Sequence, residues 1–244
     1  TLTNLPLAVN IAFATALVPA ISAAKAKNDR ETATKRTSFS LLTSMLIGLP
    51  CVVGMIVFAQ PILNLLYPNA KKGALILQLI SVSVIFSILD QTINGALQGF
   101  GKVMIPATAL GIGCLVKLVL NIVLLKIPFF NVYGAAIGSI ACHAVAFTIV
   151  FNVLKKYVKL DLPLGKFVIK PAIATGIMSV CSYTLCVILK GIIPGNTATL
   201  IAMAFAVIVY IAAVLALKIY NREDIYMLPK GEKIYKFLEK KKIY

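Results

Sequence analysis

The chain has 244 residues, of which 60% are apolar, against ~45–50% in ordinary globular domains. Charged residues make up only 13% and mean hydropathy is +0.94, too little polar surface for a soluble enzyme, a nucleic-acid module or a disordered chain of this size. The net charge of +16, from 24 Lys and Arg against 8 Asp and Glu, then reads as the basic loops of a polytopic membrane protein.

Seven apolar runs are long enough to cross ~30 Å of hydrocarbon at about 1.5 Å per residue. They are predicted at Leu5–Ala24, Phe39–Ala59, Ala74–Leu97, Val103–Leu125, Tyr133–Leu154, Phe167–Leu189 and Thr197–Leu217. Apolar residues surround each run instead of forming one stripe, which suits lipid-facing helices. Lengths near ~20 residues suit helices, not the ~10-residue strands of a barrel. The expected fold is an all-α polytopic transmembrane helix bundle. The chain opens at Thr1 with neither Met nor a charged leader, so it is expected to be the C-terminal portion of something longer.

Basic residues predict the topology. Lys25, Lys27, Arg30, Lys35 and Arg36 follow span one, Lys102 follows span three, and Lys155, Lys156, Lys159, Lys166 and Lys170 follow span five. Eight more lie in the tail, from Lys218 to Lys242. That set holds nineteen; the alternate loops hold four, Lys71, Lys72, Lys126 and Lys190. The bias places the first set in the cytoplasm and Thr1 outside, and it explains the net charge with no nucleic-acid partner.

Gly95-x-x-x-Gly99 and Gly134-x-x-x-Gly138 are small-xxx-small pairs, and Pro19 and Pro106 lie in or at the ends of spans. Close helix packing is one reading and bending points for alternating access the other.

Charges inside a membrane are costly and are functional candidates by default. Asp90 lies in span three, about 10 Å from its inner end, and Lys117 in span four, about 21 Å from its own. Opposed side-chain tilts narrow that gap, so a direct or water-bridged pair is compatible with the spacing. A structural ion pair and a substrate- or ion-binding charge both remain open. Asp90, Asn94 and Gln98 share a face at i, i+4, i+8, with Gln91 beside them, and Asn121 shares the face of Lys117. Such a polar stripe lines a cavity or an interhelical seam. Asn4, Asn10 and Thr15 dot span one.

Five Cys without a C-x-x-C and a single His, His143, give no disulfide framework and no metal site. No nucleophile–base constellation or phosphate loop stands in the spans, so no catalytic residue is assigned. In the tail, Ile234, Phe237 and Leu238 fall at i, i+3, i+4, with Lys233, Lys236, Lys240 and Lys241 on other sides. This is a basic amphipathic helix for an anionic leaflet, or a solvated tail that enforces topology.

Four stretches carry a resemblance: Asn4–Asn10 with Thr15–Ser22, Gly95–Lys102 with Pro106, Tyr133–Gly138, and Glu223-Asp224 with Leu228–Lys233. In order and spacing they resemble the polysaccharide-flippase branch of the multidrug/oligosaccharidyl-lipid/polysaccharide (MOP) exporters. The tail resembles the stage V sporulation protein B group. The resemblance implies two six-helix lobes around a basic cavity, often with two extra helices. Residues 1–154 would then be five helices of the second lobe, 155–166 a cytoplasmic loop, 167–219 two additional helices and 220–244 the tail. An absent N-terminal lobe, membrane lipids and a lipid-linked glycan are the implied partners.

The expected function is flipping of an undecaprenyl-pyrophosphate-linked oligosaccharide or peptidoglycan precursor across the cytoplasmic membrane. It would serve cell-wall, polysaccharide or spore-cortex synthesis. No cofactor is expected; an ion gradient, its ion unassigned, is the candidate energy source. A cation-coupled drug exporter using Asp90, a non-transporting scaffold for envelope or spore assembly, and a membrane enzyme are the alternatives.

Overall fold

The computed structural model describes residues 2–67, 73–127, 131–160 and 162–227, with Gly231, Glu232, Tyr235 and Glu239 in the tail. The described residues are helical, with turns and short connections between: α1 (Asn4–Ala26), α2 (Arg30–Val57), α3 (Ala59–Leu66), α4 (Ala74–Gly99), α5 (Met104–Leu124), α6 (Asn131–Tyr157), α7 (Lys170–Lys190), α8 (Gly195–Ala216) and α9 (Arg222–Met227). Among them, seven helices are long and apolar enough to cross a membrane, one per predicted run. The chain is an all-α polytopic bundle.

The boundaries differ from the predicted spans where side-chain chemistry intervenes. Span two was expected from Phe39, after a loop at 25–37. α2 instead starts at Arg30, because the Asp29 carboxylate accepts hydrogen bonds from Thr32 N (2.9 Å) and Thr32 Oγ1 (2.6 Å) and caps it. Hydrogen bonding holds the Asp29 carboxyl below its usual range, so it stays ionised at neutral pH. At 28 residues, α2 is about 42 Å long and outreaches the hydrocarbon, so its basic first turns can stand among headgroups. At its other end α2 stops at Val57. Pro61 cannot donate to the Val57 carbonyl, and the chain restarts as α3 after Phe58. Span six opens on a π-helical turn, Gly165–Ile169, just before Pro171, whose missing N–H would leave the Phe167 carbonyl unpaired in an α register.

Two compact units follow the chain, residues 1–161 and 162–244. In the first, α4 is the hub and packs against α1, α2 and α6. Ile88, Ile93 and Leu97 on α4 are fully buried, and Val52, Met55, Val84 and Ile88 form one core cluster. α5 packs chiefly on α6 and turns Leu115, Leu118, Val119 and Ile122 outward, a face suited to lipid. In the second unit α7 packs on α8, whose buried positions include Ala198, Ala202, Ala206 and Ala213. Lys166 and Asp224 form an ion pair there, and Arg222 lies over the Tyr226 and Tyr235 rings.

Glycines set the helix spacing in the first unit. A Cβ at Gly95 would collide with the Ala14 carbonyl oxygen, and one at Gly99 would lie 2.7 Å from Ile21 Cβ. Gly134 and Gly138 meet α5 in the same way, at Leu124 Cβ and at Asn121 Oδ1. Close approach supplies the dispersion energy that lipid cannot. Pro106 falls in the first turn of α5, where its missing N–H costs no bond, and α1 runs unbroken through Pro19.

Gly95→Ala is expected to destabilise the bundle by about 1–3 kcal/mol through overpacking against fixed backbone. Gly111→Ala, with nothing within 4 Å, should be neutral or stabilising. Thermal unfolding in detergent measures both; equal melting temperatures for the two variants would refute the packing role of Gly95.

Candidate functional site

Polar side chains in hydrocarbon must find partners within the protein. On α1 the buried positions are Pro6, Asn10, Ala14, Leu17, Ile21 and Ala24, a helical stripe that carries one amide into the core. Asn10 is 0% exposed. Its Nδ2 donates to Ile88 O (2.9 Å), Gln91 Oε1 (3.2 Å) and Thr92 Oγ1 (3.2 Å), all on α4. Thr92 Oγ1 lies 2.6 Å from Ser44 Oγ on α2, so three helices share one polar knot. Nearer the end of α4, Ser22 Oγ donates to Gly99 O (3.1 Å) and Lys25 Nζ to Phe100 O (3.0 Å).

Beside this knot runs a groove of about 230 Å³ between α1 and α4. Gln91, Asn94 and Gln98 give it an amide wall, facing Ile11, Thr15 and Val18. Gly95 forms its floor, because only a residue without a side chain lets the two helices close there. Asp90 lies behind this wall, 7% exposed, and accepts from Asn94 Nδ2 (3.3 Å). Three buried acceptor oxygens around the wall, Asn10 Oδ1, Asp90 Oδ1 and Asn94 Oδ1, have no hydrogen-bond partner among the described residues.

Lys117 stands elsewhere. It is half-buried on α5, with its stem against Gly138, and Asn121 Oδ1 is buried against the same glycine. α4 and α5 barely touch, and α6 packs against both. Cys142 on α6 lies within electrostatic range of both Asp90 and Lys117. No direct ion pair joins Asp90 and Lys117 among the described residues: the Asp90 carboxylate accepts from Asn94 within its own helix, and α4 and α5 meet over few residues. Lys233, Lys236, Lys240 and Lys241 lie outside the described residues.

Sequence reasoning missed Ser44 and Thr92 and underweighted Asn10. The signal was present: Asn10 occupies the i, i+4 row of Pro6 and Ala14, the row that packs inward.

The lipid II flippase MurJ family profile matches residues 1–211, most of the chain. The chain belongs to the lipid II flippase MurJ family.

The MurJ family lies in the flippase branch that the sequence motifs resemble. Among curated relatives, the chain is 29% identical to the Bacillus subtilis membrane protein YabM over 238 residues, 95% of this chain and 44% of that protein. It is 29% identical to lipid II flippase MurJ of Bacillus subtilis over 148 residues, 57% of this chain and 27% of that one. Agl15 of Haloferax volcanii, named a probable low-salt glycan biosynthesis flippase, is 25% identical over 150 residues, 61% of this chain and 31% of the other. The chain thus spans less than half the length of the curated relatives it matches. The MurJ match ends within α8, so α9 and the tail lie beyond it.

The knot has a measurable signature. Asn10→Ala and Thr92→Val should each destabilise, and the double variant should cost less than their sum by ~0.6 kcal/mol or more, the usual size of a membrane hydrogen bond. Additive losses in a double-mutant cycle would dissolve the knot as an energetic unit.

Proposed function

We propose that this chain is the C-terminal part of a cytoplasmic-membrane flippase that moves a polyprenyl-pyrophosphate-linked saccharide, such as a peptidoglycan precursor, between leaflets by alternating access. The family match supports the substrate class. The observation that carries the mechanism is the amide-walled groove on α1 and α4. A pyrophosphate headgroup cannot cross hydrocarbon bare, because desolvating ionised groups costs far more than any single contact returns. It needs a wet, polar route with a side opening for its tail. Gln91, Asn94 and Gln98 would form one wall of that route, their amides hydrated or bonded to sugar hydroxyls. An N-terminal lobe would supply the opposite wall and most of the cations that balance the pyrophosphate. Lys117, half-buried two helices away, would act from the α5–α6 pair. The glycine-mediated contacts of α1 with α4 and of α5 with α6 would let these pairs move as rigid units.

In this reading the ends of α1, α4 and α6 that carry Lys25, Lys102, Lys155 and Lys156 face the cytoplasm, and so does the tail. These ends gather at one side of the first unit, as the Lys25–Phe100 hydrogen bond and the Phe100–Tyr157 ring stack at 5.8 Å require.

Replacing Asn94 and Gln98 together by Leu should cut precursor translocation at least tenfold at unchanged expression, read as the leaflet distribution of labelled lipid-linked precursor in cells dependent on the intact protein. Wild-type translocation by that variant would remove the groove from the route. An unchanged distribution after depletion of the intact protein, together with new sensitivity to cationic dyes, would favour drug export. A fluorescent-protein fusion after Tyr244 should fluoresce and an alkaline-phosphatase fusion there should be inactive; the reverse pattern would invert the orientation.

A further inference from the structure

The basic side of the first unit contains a second cavity, of about 240 Å³, away from the groove. Two chain reversals and the end of α6 build it. α1 ends at Asn28, which takes the left-handed conformation (φ 53°), with Asp29 N bonded to Ala24 O and Asn28 N to Lys25 O. α4 ends in the same way at Gly101 (φ 75°), with Lys102 N on Leu97 O and Gly101 N on Gln98 O. Both are left-handed helix stops that only a few residue types take without strain. They fold the α1–α2 and α4–α5 junctions toward each other, and the last turn of α6 closes the third side.

The lining brings together the cations Lys25, Arg30 and Lys156 with the rings of Phe100 and Tyr157. Asp29 is the one carboxylate, and both its oxygens are committed to Thr32, so it offers an anion no free face beyond its own charge. Lys25 donates one N–H to Phe100 O, which leaves two N–H donors. Arg30 and Lys156 have no ion-pair or hydrogen-bond partner for their side chains among the described residues. The cavity therefore carries a net positive charge. Lys102, with its Nζ 5.8 Å from the centre of the Tyr157 ring, and Lys155, over Phe151, add two more cations nearby.

We propose that this cavity binds the phosphate of an anionic phospholipid headgroup from the surrounding leaflet, at a site separate from the translocation groove. Three features favour a lipid over a free phosphate. The cavity lies at the ends of membrane-crossing helices, at headgroup level. The exposed Tyr157 ring in its lining suits the membrane interface, where amphipathic tyrosine rings concentrate. It is open on one side, against exposed Tyr157 and Lys156, so a diacylglycerol can stay in the bilayer while its phosphate enters. A bound lipid would tie the α1–α2 and α4–α5 junctions to α6, and so fix the end of the helix pair that flanks the groove. Only the choice of leaflet rests on the proposed orientation.

The test uses the intact protein in detergent with phosphatidylglycerol, phosphatidylcholine or inorganic phosphate, read by native mass spectrometry for retained lipid and by melting temperature. Phosphatidylglycerol should be retained and should raise the melting temperature; phosphatidylcholine and inorganic phosphate should do neither. Arg30→Gln and Lys156→Gln should each weaken phosphatidylglycerol about fivefold, the ~1 kcal/mol that a cation contributes at an anionic surface. Lys126→Gln, at the opposite end, should leave it unchanged. Gel filtration confirms that the variants stay folded, since neither side chain bonds to the rest of the chain. Equal retention of both phospholipids, or of phosphatidylglycerol by the double Arg30→Gln, Lys156→Gln variant, would overturn the site. The same stabilisation by inorganic phosphate would overturn the lipid as its ligand. Because the readout is binding in detergent, its failure would leave the flippase reading untouched, and loss of translocation would leave this one untouched.

Discussion

A polar group in hydrocarbon has no water to fall back on, and the arrangement of the first unit follows from that constraint. α4 carries Asp90, Gln91, Thr92, Asn94 and Gln98 within about two turns, and no lipid-facing orientation satisfies them. The helix is therefore surrounded by α1, α2 and α6. Asn10 on α1 and Ser44 on α2 supply the partners for its inner face. Gly95 and Gly99 let α1 come close enough for those bonds to form. Packing and hydrogen bonding are here one device: the glycines bring α1 close enough for Asn10 to reach Ile88 O, and Asn10 in turn supplies a donor to the Gln91 and Thr92 side chains.

The same constraint explains what is left over. Satisfying the inner face turns Gln91, Asn94 and Gln98 into the open groove. α5, with few polar side chains apart from Lys117 and Asn121, has no such need and presents an apolar face. The basic residues escape the constraint at the helix ends. There Asn28 and Gly101 reverse the chain and gather cations around Phe100 and Tyr157.

Much of this was legible in the sequence, and the rest was hidden for physical reasons. Hydropathy alone located seven helices, since hydrocarbon thickness leaves little freedom in where a 20-residue apolar run can go. The α4 stripe was legible from its i, i+4, i+8 spacing. Helix ends were less so: the Asp29 cap and Pro61 act through single backbone hydrogen bonds, which average hydropathy does not register. Neighbour choice was illegible. Rise per residue gave the depths of Lys117 and Asp90 but says nothing about which helices pack together, and α5 packs chiefly on α6. Ser44 and Thr92 were silent in the sequence because Ser and Thr in a membrane helix usually bond back to their own turn, as Thr43 does to Phe39 O at 2.9 Å and Thr92 itself does to Ile88 O at 3.2 Å, so spacing does not show which of them also reach a neighbouring helix.

The central claim is that the α1–α4 groove faces water in the assembled protein, although its helices cross the membrane. Cysteine substitution at Gln91, Asn94 and Gln98, in the intact protein freed of its native cysteines, addresses it directly. A small charged thiol reagent should modify these positions, should fail to modify cysteines at Leu118 and Ile122 on the exposed face of α5, and should be slowed in the groove by added lipid-linked precursor. Groove positions as inert as Leu118 and Ile122 would mean that the amides are sealed within the protein, and would contradict the proposed route.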